Sequence, residues 1–203
     1  MPVAYASADK RAELVAAATQ LLHEQGFHRT TLAHVASRAE VPLGNVYYYF
    51  KTKDALAEAV ISAHEEALRA RFASWTRAHR VPLARLRCFV RAPLDSADRL
   101  IQFGCPHGSL CQELEKLGAN TPLARAGTRL LTVYINWAEE QFRAHGVARR
   151  EAHSLATDLV GAVQGAMLLA NTMRSKDLLT HQLHRVERRL DAALSLPQPR
   201  SRS

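Results

Sequence analysis

The chain has 203 residues, 47% of them hydrophobic and 6% aromatic, with a net charge of +8 at pH 7 and a pI near 9.9. That apolar content supports a sizeable core, as one domain or as a small head with a larger body, and no apolar run reaches the roughly 20 residues of a membrane-spanning helix. Three cysteines, an odd number, argue for a reducing cytoplasm over a disulfide framework, and Met-Pro-Val-Ala-Tyr-Ala lacks the basic start and long apolar stretch of a secretory signal.

Residues 8–25 place Leu14, Val15, Ala18, Leu21 and Leu22 on one helical face; Gly26 marks its end and Phe27 closes a small core. A second helix is expected over 29–39, capped by Thr30 or Thr31, with Leu32, Val35, Ala36 and Ala39 as its apolar stripe. Glu40-Val41-Pro42 then turns the chain, because proline removes a donor and biases its predecessor away from helix. The next helix, from about Leu43 to Tyr49, is barely two turns long and depends on its neighbours for stability. Helix, short turn, helix is the plan in which the second helix enters the major groove. Val46 and Phe50 share a face and are assigned to the core, with Tyr47 at its edge and Tyr48 and Tyr49 outward; the competing reading makes the tyrosines core aromatics. Thr52 caps the following helix, setting the charge of Lys53 beside free backbone N–H groups.

Residues 8–65, ending in Gly-x-Val-Tyr-x-Tyr-Phe-x-x-Lys over 44–53, resemble the DNA-binding head of the TetR family of bacterial transcriptional regulators. The resemblance implies an all-α, nine-helix architecture: a DNA-binding head over 1–52, an effector-binding and dimerisation domain over 53–196, and a basic tail over 197–203 that composition marks as disordered. It implies phosphate contacts from Thr31, Tyr48 or Tyr49 and Lys53, and groove-facing roles for Leu43, Gly44, Asn45 and Tyr47. Asn45 is the side chain best suited to direct base readout, with a preference for adenine. The family usually has glycine where this chain has Glu40, and a non-glycine residue at positive φ costs about 1–2 kcal/mol.

Residues 1–60 hold Lys10, Arg11, Arg29, Arg38, Lys51 and Lys53 against Asp9, Glu13, Glu24, Glu40, Asp54 and Glu58, so the proposed head has no net charge. DNA binding by this head therefore rests on placed contacts, with a modest salt slope. Arg69, Arg71, Arg77, Arg80, Arg85, Arg87 and Arg91 fall in a stretch without acidic residues between Glu66 and Asp95. They read as solvated helix faces or as contacts to phosphate or an anionic effector.

Further helices are expected over 52–78, 82–102, 109–117, 122–145, 150–175 and 177–195. Gly161 and Gly165, one turn apart beside Ala162, Ala166 and Ala170, allow close approach of another helix, and Leu179, Leu183 and Val186 line the last one. The resemblance assigns these two helices to a two-fold dimer interface suited to a pseudo-palindromic operator; the competing reading places the glycines in an ordinary intramolecular core. Gly104-Cys105-Pro106-His107-Gly108-Ser109-Leu110-Cys111 carries a Gly-Cys-x-x-Gly stretch found in a subset of the family. Three readings stand for Cys105, His107 and Cys111: a packed joint, a reactive thiol switch, or a metal site that lacks the paired Cys-x-x-Cys spacing. Phe89, Phe103, Tyr134, Trp137 and Gln164 are candidates for the pocket of a small-molecule effector. The expected function is a homodimeric repressor with no cofactor or resident metal, released from double-stranded operator DNA by that effector or by thiol modification. The alternative is an all-α thiol enzyme using Cys105 and His107.

Overall fold

The computed structural model describes residues 3–118 and 120–195; the basic stretch 197–203 lies outside them. Among the described residues every regular element is a helix: α1 (Val3–Arg29), α2 (Leu32–Arg38), α3 (Leu43–Tyr49), α4 (Lys53–Ala78), α5 (Pro82–Arg91), a 3-10 turn (Ala92–Ser96), α6 (Ala97–Phe103), α7 (Pro106–Glu115), α8 (Pro122–Ala144), α9 (Arg149–Thr172) and α10 (Lys176–Ser195). The helix expected over 82–102 is interrupted, since Pro93 can neither donate to the helical ladder nor clear the preceding turn. Counting α5 to α6 as one interrupted segment gives nine helical segments among the described residues, the number that the resemblance implies.

The helices divide into two compact units, one built from the chain up to Ala67 with Pro106–Leu131, the other from Leu68–Cys105 with the chain from Thr132 onward. In the first unit, Leu14, Ala18 and Leu21 of α1, Val35 of α2, Val46 of α3, Phe50, and Val60 and Ile61 of α4 are buried. Leu110 and Leu114 of α7 are buried as well, and α7 packs along α1. In the second unit, α9 packs against α6 and α10, and α10 against α5. Arg87 and Arg91 of α5 pair with Asp191 and Glu187 of α10 at 2.9 and 2.6 Å. Two of the seven arginines are thus accounted for by ion pairs.

The turn between α2 and α3 keeps a left-handed residue: Glu40 has φ of 53°. The amide of Glu40 donates to the Ser37 carbonyl and that of Val41 to the Ala36 carbonyl, at 3.2 and 3.0 Å. This is the paired-bond helix ending that normally uses glycine. The backbone strain of a side chain at this position is therefore carried by the fold.

Candidate functional site

In the first unit, Thr31 caps α2 by accepting from the His34 amide at 3.2 Å. Thr30, the other candidate cap, is buried and donates its hydroxyl to the Gly26 carbonyl at 2.7 Å. Burial of Val46 and Phe50 sets the rotation of α3, since side chains one turn apart share a face. The opposite face is open: Leu43 is 40% exposed, Tyr47 47% and Tyr48 73%. Asn45 and Gly44 are exposed beside them, and Tyr49 is half-buried. Tyr48 and Tyr49 meet edge to face, ring centroids 4.9 Å apart.

Gly44 lies in the first turn of α3, where glycine still disfavours helix by up to about 1 kcal/mol relative to alanine. A Cβ built there would meet nothing within 4 Å. Packing inside the chain therefore gives no reason for the glycine.

Thr52 caps α4 through the Ala55 amide at 3.1 Å. The Lys53 ammonium donates to the Phe27 carbonyl at 3.0 Å and the His28 carbonyl at 3.5 Å, and lies 4.2 Å from the Phe27 ring centroid. An ammonium has three donors, so these contacts aim it without using its full capacity.

His107 and Cys111 belong to the first unit and Cys105 to the second. His107 Nε2 sits 3.1 Å from His64 Nδ1, and burial, with a smaller contribution from His23, holds the His64 imidazole down at about 4. Cys111 is buried and donates to the Gly127 carbonyl at 3.1 Å; Cys88 and Cys105 are half-buried. Burial pushes the Cys88 thiol up, which works against a reactive thiolate there. Among the described residues no group of three or more His, Cys, Asp or Glu is arranged to hold a metal.

In the second unit, Phe89, Tyr134 and Trp137 come together with Phe72 and Trp75. The Phe72 and Trp137 rings stack, centroids 4.4 Å apart and planes within 12°. A cleft of about 570 Å³ opens beside this stack, lined in part by Arg69, Phe72, Arg85, Asn136, Trp137 and Gln141. Arg85 is held by the carbonyls of His79 and Arg80 and by Gln141 Oε1 at 2.8, 3.3 and 3.1 Å. Of the five pocket candidates only Trp137 lines this cleft; Phe103 lies under the Arg99 guanidinium and Gln164 is half-buried on α9. Sequence reading passed over Phe72 and Trp75, whose i, i+3 spacing on α4 was the available signal.

On α9, Gly161 and Gly165 face open space, a Cβ at either meeting nothing within 4 Å. Leu168, Leu169 and Met173 continue that surface and are 58%, 48% and 65% exposed. Ala166, Leu179, Leu183 and Val186 are instead buried within the chain. Their side chains are thus covered by packing within the chain.

A short helix with an open aromatic face, set on a buried three-helix core and followed by further helices among the described residues, has the architecture of a helix-turn-helix DNA-binding regulator. Comparison with known proteins gives the family. Residues 14–60 match the bacterial regulatory proteins of the tetR family, and residues 82–184 match the C-terminal domain of LmrA/YxaF-like transcriptional regulators. The chain belongs to the TetR family of transcriptional regulators, with an LmrA/YxaF-like C-terminal domain. It is 26% identical over 179 residues to the HTH-type transcriptional regulator LmrA of Bacillus subtilis (strain 168), covering 85% of this chain and 92% of the relative. The crystal structure of regulatory protein TetR from Rhodobacter sphaeroides is similar at TM-score 0.75 and 26% identity, over 87% of this chain and 96% of that one. A TetR regulator from Legionella pneumophila shares the fold at TM-score 0.78 and 19% identity, over 87% and 95% of the two chains. No helix among the described residues is long and apolar enough to cross a membrane.

Proposed function

We propose that the chain is a cytoplasmic homodimeric repressor whose head, residues 1–52, binds a pseudo-palindromic operator and whose body, residues 53–196, answers a small-molecule effector. The outward face of α3 carries the reading: Leu43, Tyr47 and Tyr48 stay exposed next to a glycine that nothing in the protomer requires. In this reading Thr31, Tyr48 or Tyr49 and Lys53 meet phosphates, while Leu43, Gly44, Asn45 and Tyr47 face the groove, with Asn45 reading a base. The outward α9 row of Gly161, Gly165, Leu168, Leu169 and Met173 supplies the dimer contact, which sets half-site spacing. An effector in the aromatic cleft releases DNA by binding more tightly to a conformation of low operator affinity.

Thiol modification is the second route to release, favoured by the incomplete burial of Cys105. Titrating reduced protein by fluorescence anisotropy against DNA from upstream of its own gene, before and after diamide, separates the two. Binding that survives diamide assigns release to the cleft, and binding lost on oxidation but restored by reductant assigns it to the thiols. Failure to bind any duplex selected from a random library would refute the reading.

A further inference from the structure

Gly26 breaks α1 with φ of 84° and ψ of 167°, so the turn from Phe27 to Arg29 begins a new helical segment with its own unpaired amides. A carboxylate 86 residues further along takes them. Glu113 Oε2, on α7, accepts from the Phe27 amide at 2.7 Å and from the His28 amide at 3.2 Å. A Cβ at Gly26 would lie 2.5 Å from the other oxygen, so φ favours glycine there and any side chain would displace the Glu113 carboxylate. The carbonyl of the same Phe27 accepts from Lys53. Phe27 itself is buried in the head. The chain then passes through Thr30 into Thr31, the cap of α2.

We propose that Glu113 is a positioning residue for DNA binding: from α7 it holds the turn that leads from α1 into the helix-turn-helix, so that α7 sets the geometry of the head. Contacts that locate α7 include His107 against His64 of α4, Cys111 at the Gly127 carbonyl of α8, and Glu113 at this turn. A displacement of the carboxylate by about 1 Å along the bond carries the 2.7 Å contact beyond hydrogen-bond range. The proposal rests on the head being the DNA-binding element, and on no particular effector.

The test uses full-length protein and a duplex selected by the wild type from a random-sequence library. Glu113→Ala should weaken binding about tenfold, the scale of one charge-assisted hydrogen bond, with the salt slope unchanged because no phosphate contact is lost. Glu113→Gln, which keeps an acceptor, should recover part of the affinity. Because binding linkage is reciprocal, the duplex should slow hydrogen exchange at the Phe27 and His28 amides in the wild type and leave it fast in Glu113→Ala. A merely stabilising role would raise exchange across the whole first unit and leave duplex protection of the turn intact. That result, or wild-type affinity in Glu113→Ala, overturns the proposal. A wild type that selects no duplex overturns the DNA-binding reading instead, while the amide exchange of the free variants still reports on the contact.

Discussion

His64 makes the stability of the first unit depend on pH in a window that can be stated in advance. Its imidazole is largely buried against His107 of α7, with His23 of α1 adding a smaller repulsion, and it titrates at about 4 in place of 6.5. Above pH 6.5 the residue is neutral both folded and unfolded. Between 6.5 and 4 only the unfolded chain takes up the proton, so stability falls as pH falls, by up to about 1.4 kcal/mol per pH unit. Below 4 both states are protonated and the loss levels off at about 3 kcal/mol, somewhat less where solvent screens the ring. The assay is urea unfolding at fixed protein concentration from pH 7.5 to 4, wild type against His64→Gln, so that the other titrating groups cancel in the difference. The wild type should lose about 2–3 kcal/mol more than the variant over this range. Parallel profiles would show that the buried imidazole is not held neutral, and the argument would fail.

Replacing Glu40, at φ 53°, with glycine should stabilise the protein by roughly 0.5–1 kcal/mol, the strain relieved less the added freedom of the unfolded chain; a lower melting temperature for Glu40→Gly would refute the strained turn. Gly161→Leu places a bulky side chain on a surface that is open in the protomer. It should yield a folded monomer by sedimentation, with helix propensity improved by nearly 1 kcal/mol, and an intact dimer would exclude this face of α9 as the interface. Tyr48→Phe tests the hydroxyl alone and should weaken binding to all duplexes alike. Asn45→Ala should relax preference at a single base position at a cost of about 1–3 kcal/mol on the preferred site, and binding-site selection with each variant tells the two effects apart.

The head was legible in the sequence because its determinants are local. Val46 and Phe50 share a helix face by their spacing, Thr52 precedes a helix it can cap, and Gly26 ends a run of helical periodicity; each appears in the structure as read. The single helix expected over 82–102 took no account of Pro93, which interrupts it. Glu40 shows the opposite limit: the departure from glycine was plain, but only the paired bonds from Glu40 and Val41 show that the turn keeps its left-handed form.

Composition, helical periodicity and the 44–53 motif determined by themselves that the chain is all-α and opens with a helix-turn-helix, because those signals lie within one or two turns of helix. Tertiary structure alone decided which faces are covered. It buried Leu179, Leu183 and Val186 in the protomer while leaving Gly161, Gly165 and Met173 open. It also gathered Phe72 and Trp137 into one stack and carried the Glu113 carboxylate to the Phe27 amide. Such contacts join residues tens of positions apart, and no local periodicity encodes which helix a given face will meet.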